Sequence, residues 1–238
     1  MMRRAGKIVA TILQELARRV APGMTTKQLD QVAASIIQDH GAKPAFLGYR
    51  GFPACICVSI NDEVVHGIPG PRVVREGDVV SFDAGASVDG YCADAAITVA
   101  VGPVTPSVQR LIDTTRIALD AALALATPAH RLSDVSHAVQ QTVERAGFGV
   151  VRDFVGHGIG RAMHEDPAIP NFGPPHRGPR LKPGMALAIE PMVTMGHWEV
   201  EVLQDGWTAV TKDRSLAAHF EHTIAVTDDQ PEILTRLS

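Results

Sequence analysis

Two amphipathic helices followed by short β-rich runs occur in the first part of this sequence, and the same order of elements then occurs again. A faint internal similarity at an offset of 106 residues follows the same order and pairs Pro22 with Pro128, Leu29 with Val135, Ile37 with Val143 and Gly41 with Gly147. Because helices with one apolar face bury it against a sheet, this order predicts an α+β protein with antiparallel strands inside and helices outside. We expect one domain, residues 1–238, with pseudo-symmetric halves of about 1–105 and 106–238. A functional site is then expected between the halves.

Apolar periodicity and turn residues predict the individual elements. Apolar residues at helical spacing, ended in the first case by Pro22-Gly23, predict helices over 3–20, from residue 25 or 26 to 40, over 107–126 and over 133–147. Runs rich in β-forming residues, separated by turns such as Asn61-Asp62 and Asp89-Gly90, predict strands over 55–60, 78–86, 91–101, 185–193, 199–203, 207–211 and 219–226.

Composition excludes several classes of protein. With 45% hydrophobic and 20% charged residues, the chain can bury a large core. A net charge of −4 without a Lys/Arg-rich run gives no reason to expect a nucleic-acid partner. No apolar run reaches the roughly 18 residues of a membrane span, and polar residues interrupt the stretch after the basic start, unlike in a signal peptide. The cysteines lack zinc-ligand spacing and indicate a reduced, cytoplasmic setting; they are Cys55, Cys57 and Cys92.

Four carboxylates stand in or beside apolar β-rich runs, although acidic residues are depleted in strands. Asp83 and Asp94 lie on either side of the Asp89-Gly90 turn, so a hairpin would bring them close together. Glu190 ends one apolar run and Glu221 begins another. Each residue alone also fits a solvent-facing position on a half-exposed sheet or at a strand edge. Four such positions in four strands favour a common cause.

Divalent cations are such a cause, because two of them would balance four carboxylates that otherwise repel one another. Oxygen-rich ligands with one imidazole suit Mn, Fe, Co or Zn, and two ions about 3.5–4 Å apart can share a bridging hydroxide. The imidazole candidate is His157, because the glycines around it let the backbone approach another group closely. For His66 and His164, spacing alone favours surface positions.

Other chemistries have no matching motif. His164-Glu165 is followed by Asp166-Pro167, so there is no H-E-x-x-H motif. The sequence also lacks G-x-S-x-G and G-x-x-x-x-G-K-[ST]. The glycines around His157 are followed by Arg161, which departs from the dinucleotide-binding pattern.

Five motifs resemble those of bacterial type I methionine aminopeptidases, in the same order and over nearly the whole chain. They are residues 61–69 (NDEVVHGIP), Asp83 and Asp94 eleven residues apart, and residues 156–160 (GHGIG), 189–193 (IEPMV) and 220–224 (FEHTI). The resemblance implies the pita-bread fold, in which two related α+β halves enclose a dinuclear metal centre. It also implies a single catalytic domain, in agreement with the internal similarity.

The resemblance implies a role for each matching residue. Asp94 and Glu221 would bridge two metal ions, and the full ligand set would be Asp83, Asp94, His157, Glu190 and Glu221. The catalytic residues would be His66, His164 and Glu190, of which the two histidines would also bind the substrate. The methionine pocket would consist of Phe46, Tyr49, Phe52, Cys57, Met163 and Trp207. Relatives often have Tyr in place of Phe52 and Phe in place of Met163, and core packing is the alternative role for Tyr49 and Trp207.

The implied activity is removal of the initiator methionine from nascent proteins and peptides with a small second residue. The cofactors would be two divalent metal ions (Mn, Fe, Co or Zn), which would hold the attacking hydroxide. The partner would be the N-terminal Met of nascent polypeptides, with transient contact to the ribosome, and with no nucleic-acid or membrane partner. The enzyme would be a cytoplasmic monomer.

Two other functions are open from the sequence. A proline-directed peptidase of the same fold, such as prolidase or aminopeptidase P, usually carries an additional N-terminal domain, whereas the first predicted helix here begins within a few residues of Met1. A noncatalytic binding module of this fold would have lost its metals, whereas all five ligand types are present here.

Overall fold

The helices of the computed structural model, which describes residues 1–237, agree with the periodicity of the sequence. They are α1 (Met2–Arg19), α2 (Thr26–Asp39), α3 (Pro106–Ala124) and α4 (Leu132–Arg145), each within two residues of its predicted bounds. α4 begins and ends 106 positions after α2, and each is followed by a glycine with positive φ, Gly41 or Gly147. In the described part of the chain, no helix is both long and apolar enough to cross a membrane.

Fifteen short strands are present in residues 1–237. They are β1 (Lys43–Pro44), β2 (Ile56–Ile60), β3 (Glu63–Val65), β4 (Val79–Val88), β5 (Tyr91–Ala100), β6 (Gly149–Val150), β7 (Gly156–Gly158), β8 (Glu165–Ile169), β9 (Ala186–Ile189), β10 (Met192–Thr194), β11 (Val200–Val202), β12 (Ala209–Thr211), β13 (Ala217–His219), β14 (Glu221–Ala225) and β15 (Glu232–Ile233). A one-turn 3-10 helix, Tyr49–Gly51, lies between β1 and β2.

Nine of these strands form one antiparallel sheet. Its order is β1-β4-β5-β14-β9-β7-β8, with β2 also paired with β4, and β15 with β14. Two three-stranded sheets, β13-β10-β6 and β11-β12-β3, complete the β structure of the described residues. Because β14 pairs with β5 on one side and with β9 on the other, it joins strands from the first part of the chain to strands from the second.

Two of the predicted strands are wrong in one respect. In the structure each is divided into two strands, and these belong to different sheets. Residues 185–193 form β9 and β10, and the break falls at Glu190-Pro191, where proline has no N–H to continue the ladder. Residues 219–226 contain the end of β13 and all of β14, with the break at Phe220. The carboxylates Glu190 and Glu221 therefore stand where the chain passes from one sheet to another.

The helices cover one face of the nine-stranded sheet. Phe82 and Ala95 pack with α1 and α2 in one apolar cluster. Leu187, Ile189 and Ile224 pack with α3 and α4 in a second cluster. Side chains alternate between the two faces along a strand, so the sequence neighbours of these residues face away from the helices.

Replacing Phe82 with alanine should destabilise the protein by about 3–5 kcal/mol, because Phe82 is fully buried between the sheet and the helices. Urea unfolding followed by circular dichroism measures the change in the free energy of unfolding. As a control, Ile117→Ala on the exposed side of α3 should change it by less than about 0.5 kcal/mol. Equal unfolding midpoints for the two variants would contradict this packing.

Candidate metal centre

Strand register places three of the predicted ligands on the face of the sheet opposite the helices. Ala96 of β5 is the direct partner of Asp83 on β4 and of Glu221 on β14. Residues that oppose one another in a sheet point to the same face, and so do residues two apart along a strand. Asp94, two residues before Ala96, therefore shares that face with Asp83 and Glu221. The small Ala96 side chain leaves the space between them open.

The same reasoning brings in the remaining two ligands from the other side of β14. Ala188 of β9 is paired with Thr223 on β14 and with His157 on β7. Because Thr223 is two residues from Glu221, His157 and Ala188 point to the face that carries the acidic groups. Glu190 follows Ala188 by two residues and extends from the end of β9. Five side chains from neighbouring strands thus converge on one face.

The distances between these groups fit a shared cation site. Ligand atoms of Asp94, His157 and Glu221 all lie within 4.8 Å of one another. His157 Nε2 is 3.7 Å from Glu190 Oε1, and Asp83 and Glu190 line the same cavity as the other three. Carboxylate oxygens with one imidazole are the donor set expected for divalent Mn, Fe, Co or Zn.

Buried side-chain atoms without hydrogen-bond partners are concentrated at the same candidate cation site. Among residues 1–237, the buried side-chain nitrogen and oxygen atoms without a partner are Asp83 Oδ1, Asp94 Oδ1, Glu221 Oε1 and His219 Nε2. Buried polar groups are nearly always paired, because an unpaired group loses its hydration without compensation. Three of these four atoms belong to the predicted ligands, so the residues present fit a divalent metal centre.

The electrostatics of the site require positive charge. Burial raises the pKa of Asp83 to about 6 and that of Glu190 to about 7. Burial, followed by repulsion from the neighbouring carboxylates, raises the pKa values of Asp94 and Glu221 well above their usual range. In the described residues no lysine or arginine pairs with these four groups; their ion pairs are with histidines only. Four carboxylates can therefore be ionised together only with cations between them.

The glycines around His157 are needed for the close approach of the backbone. A Cβ atom at Gly156 would lie 2.4 Å from the carbonyl oxygen of Ala188, and one at Gly158 would lie 2.2 Å from that of Asp166. His157 Nδ1 is 2.9 Å from the carbonyl oxygen of Gly158, so the Nδ1–H donates to this carbonyl. Nε2 is then the nitrogen with a free lone pair, and it faces Glu190.

His66 and His164 line the same cavity as the five ligands; His164 is exposed there, as its spacing favours, and His66 is half-buried. His66 follows β3 with a φ of 61°, and its ring lies 5.3 Å from that of Phe154. The ring of His164 lies 4.2 Å from that of His157, and its Nδ1 is 2.9 Å from the hydroxyl of Tyr49. Desolvation lowers the pKa of each to about 4, with smaller effects from His219 on His66 and from His157 and Arg50 on His164, so both imidazoles are neutral at pH 7.

An apolar cavity of about 170 Å³ opens onto the five ligands. Of the six predicted pocket residues, five line it: Phe46, Tyr49, Phe52, Cys57 and Trp207. Met163 is buried behind them, and a Cβ atom on Gly85 would meet Phe46 Cε1 at 2.7 Å and Met163 Cε at 3.0 Å. Gly85 therefore leaves the space that these two side chains fill.

Sequence reasoning missed several residues of the site. The further lining residues are Arg50, Val65, Phe154 and Val155. His219 was also missed, although its Nε2 lies 3.5 Å from Glu190 Oε2. No local signal marks it, because His219 ends β13 whereas Glu221 begins β14 of another sheet, and its neighbour Glu190 is distant in sequence. Nor does a pattern mark Phe154 and Val155, which lie outside the strands.

Comparison with known proteins shows the family to which the chain belongs. The model of metallopeptidase family M24 matches residues 1–228. The chain belongs to this family. Methionine aminopeptidase 1 of Bacillus subtilis is 52% identical over 236 residues, which cover 99% of this chain and 95% of that protein. Methionine aminopeptidase 1 of Mycobacterium tuberculosis is 49% identical over 241 residues, with coverage of 98% and 91%. As a member of family M24 with such relatives, the chain is a metallo-aminopeptidase.

Solved structures of similar proteins confirm the pita-bread fold. The crystal structure of methionine aminopeptidase from Thermotoga maritima superposes with a TM-score of 0.97 at 49% identity, covering 99% of this chain and 95% of that one. Prolidase from Pyrococcus furiosus superposes with a TM-score of 0.81 at 20% identity, covering all of this chain and 63% of that one. The second likeness extends to the fold alone.

Metal binding should release protons near neutral pH. Because burial raises the pKa of Asp83 to about 6 and of Glu190 to about 7, the metal-free site holds protons that a cation must displace. Metal affinity should therefore fall as the pH decreases from about 8 to about 6. Calorimetry of Mn²⁺ binding to chelator-treated protein, in buffers of different ionisation enthalpy, counts the protons released. A pH-independent affinity without proton release would contradict the assignment of these carboxyls as ligands.

Proposed function

We propose that this enzyme removes the N-terminal initiator methionine from nascent proteins and from peptides with a small second residue. The observation that carries the proposal is the convergence of four carboxylates and His157 at the floor of an apolar, aromatic cavity. The relatives named methionine aminopeptidase support the choice of substrate, since they match the chain over almost its whole length.

The metal ligands in this proposal are Asp83, Asp94, His157, Glu190 and Glu221. Asp94 and Glu221 would be shared by the two ions, since they stand on the adjacent strands β5 and β14 between Asp83 on one side and His157 and Glu190 on the other. When bound, two divalent cations (Mn, Fe, Co or Zn) supply Lewis acidity and a hydroxide nucleophile at neutral pH.

Three side chains act on the substrate and its water. Glu190 accepts a proton from the attacking water during attack on the first peptide carbonyl, because its carboxylate lies beside the other ligands at the floor of the cavity. His164 donates a hydrogen bond to the carbonyl oxygen as negative charge develops there. His66, on the other side of the cavity beside Phe154 and Trp207, contacts the amide nitrogen of the scissile bond. Their neutral imidazoles carry both a donor and an acceptor nitrogen.

The walls of the cavity suit an unbranched thioether. Phe52 and Trp207 meet edge to face with ring centroids 5.1 Å apart, and Phe46 meets Phe52 at 6.4 Å. Such aromatic walls provide the polarizable contacts that a methionine sulfur prefers. Cys57, fully buried and with its thiol pKa raised by burial, adds a small neutral group. Met163 lies behind the wall of the cavity, where it supports the side chain of Phe46.

We also propose a cytoplasmic monomer that meets its substrate as the polypeptide leaves the ribosome. The three cysteines are free and buried, which suits a reducing compartment. The substrate in this setting is the free N-terminus of a nascent chain, with transient contact to the ribosome and without a nucleic-acid or membrane partner.

A set of peptides tests the proposal directly. Met-Ala-Ser should be cleaved far faster than Leu-Ala-Ser or Met-Lys-Ser, because a branched first side chain fills the slot poorly and a long second side chain meets its walls. Exhaustive chelation should abolish the activity, and Mn²⁺, Fe²⁺ or Co²⁺ should restore it. Equal kcat/KM for the three peptides would rule out the specificity, and preference for an Xaa-Pro peptide would point to a proline-directed peptidase. Full activity of metal-free protein would exclude the metal mechanism.

Substitutions should separate the ligands from the catalytic histidines. Asp94→Asn removes a bridging carboxylate and should lower both metal occupancy and rate. His66→Ala should keep its metals and its fold while kcat falls about 10²–10⁴-fold, as expected for loss of acid–base or electrostatic assistance. Metal analysis beside steady-state kinetics measures both effects, with His40→Ala at the exposed end of α2 as a control. Loss of metal from His66→Ala would move His66 into the ligand set, and near-unchanged kcat would remove it from the mechanism.

A further inference from the structure

His219 provides the one unpartnered buried atom in the described residues that does not belong to a proposed metal ligand. The residue is 1% exposed and ends β13, two positions before Glu221. Its Nε2 lies 3.5 Å from Glu190 Oε2, so the imidazole faces the candidate metal centre from inside the protein.

The backbone of His219 is held at both of its polar groups by Thr98 on β5. Thr98 Oγ1 accepts from the His219 amide at 2.8 Å and donates to the His219 carbonyl at 2.7 Å. Ser81 on β4 lies 2.8 Å from the same Oγ1 and completes its hydrogen bonding. All three residues are buried. The backbone that carries the imidazole is therefore held in place relative to the strands of Asp83 and Asp94.

Glu190 stands between two imidazoles, and each faces a different carboxylate oxygen. Oε1 is 3.7 Å from His157 Nε2, and Oε2 is 3.5 Å from His219 Nε2. Glu190 is also the ligand with the least support from a strand, because β9 ends at the residue before it. Its backbone carbonyl accepts from Asn171 at 2.9 Å, but this bond does not determine the rotation of the carboxylate.

We propose that His219 is a positioning residue, whose neutral Nε2–H holds Glu190 Oε2 and so keeps Oε1 turned toward His157. The distance of 3.5 Å is longer than a formed hydrogen bond, but the last torsion of a carboxylate is soft, so a small rotation would bring Oε2 within hydrogen-bond distance of Nε2. Groups that orient a metal ligand typically contribute about 10–100-fold to metal affinity or activity. This role rests on the proposed function, since it acts through Glu190 as ligand and proton acceptor.

Substituting glutamine or methionine at position 219 separates the effect of the N–H donor from the effect of side-chain volume. Both side chains have the length to reach toward the place of Nε2, but only glutamine offers an N–H. His219→Met should bind Mn²⁺ about 10–100-fold more weakly than the wild type and lose kcat on Met-Ala-Ser, with KM nearly unchanged. His219→Gln should retain most of both. A second donor variant, His219→Asn, places its amide one methylene short and should resemble the methionine variant, which preserves the test if His219→Met fails to fold.

His222 provides the matched control. It neighbours Glu221 on the opposite face of the sheet, where its Nδ1 lies 2.9 Å from Thr235 Oγ1. His222→Met should leave Mn²⁺ affinity unchanged. Affinity is measured by calorimetry on the chelator-treated full chain, independently of peptidase activity.

Three outcomes overturn the role of His219. Wild-type Mn²⁺ affinity and kcat in His219→Met would show that the donor is unnecessary. A glutamine variant as defective as the methionine variant would show that the imidazole itself is required, as for a direct metal ligand. Failure of the wild type to bind metal would overturn the proposed function and this inference together. If the wild type binds metal and cleaves Met-Ala-Ser, the proposed function stands whatever the variants show.

Discussion

Repulsion among four carboxylates, three of them buried and Glu190 half-buried, is the interaction that the rest of the molecule must offset. Asp83, Asp94, Glu190 and Glu221 reach one face of one sheet and line one cavity, and no lysine or arginine of the described residues pairs with them. Such a site is stable only if the rest of the structure offsets the unfavourable free energy of this repulsion. The two apolar clusters between the sheet and the helices provide that stability, on the face where the strands carry no charge.

Because side chains alternate along the strands, one face of the sheet packs against the helices and the other face carries the acidic groups. Phe82 packs toward the helices and Asp83 toward the cavity, and the same division holds at Asp94-Ala95 and at Ile189-Glu190. The cavity is divided in turn, with carboxylates at its floor and aromatic rings in its walls. His66 and His164 stand at the border between these parts, where desolvation keeps them uncharged. The acidic charge of the cavity is thus confined to its floor.

The sequence predicted those parts of the structure that follow from local chemistry. Helix bounds were predicted within two residues, because apolar periodicity over four or five turns is unambiguous. Acidic residues in apolar runs indicated the metal site because they conflict with burial. The breaks at Pro191 and Phe220 were missed, since a continuous apolar run looks the same whether it enters one sheet or two. The pocket depended on the family resemblance, because Phe46, Phe52 and Trp207 have no local pattern that distinguishes a binding wall from a core. His219 was missed because its partner, Glu190, is distant in sequence.

The position of β14 has a consequence for the synthesis of the protein. This strand lies in the middle of the nine-stranded sheet and carries Glu221, yet it is the second-last strand of the described chain. Until its residues have left the ribosome, β5 and β9 have no strand between them, and the acidic groups of the earlier strands have no common centre. The acidic groups therefore reach their final arrangement only after nearly all of the polypeptide has been made.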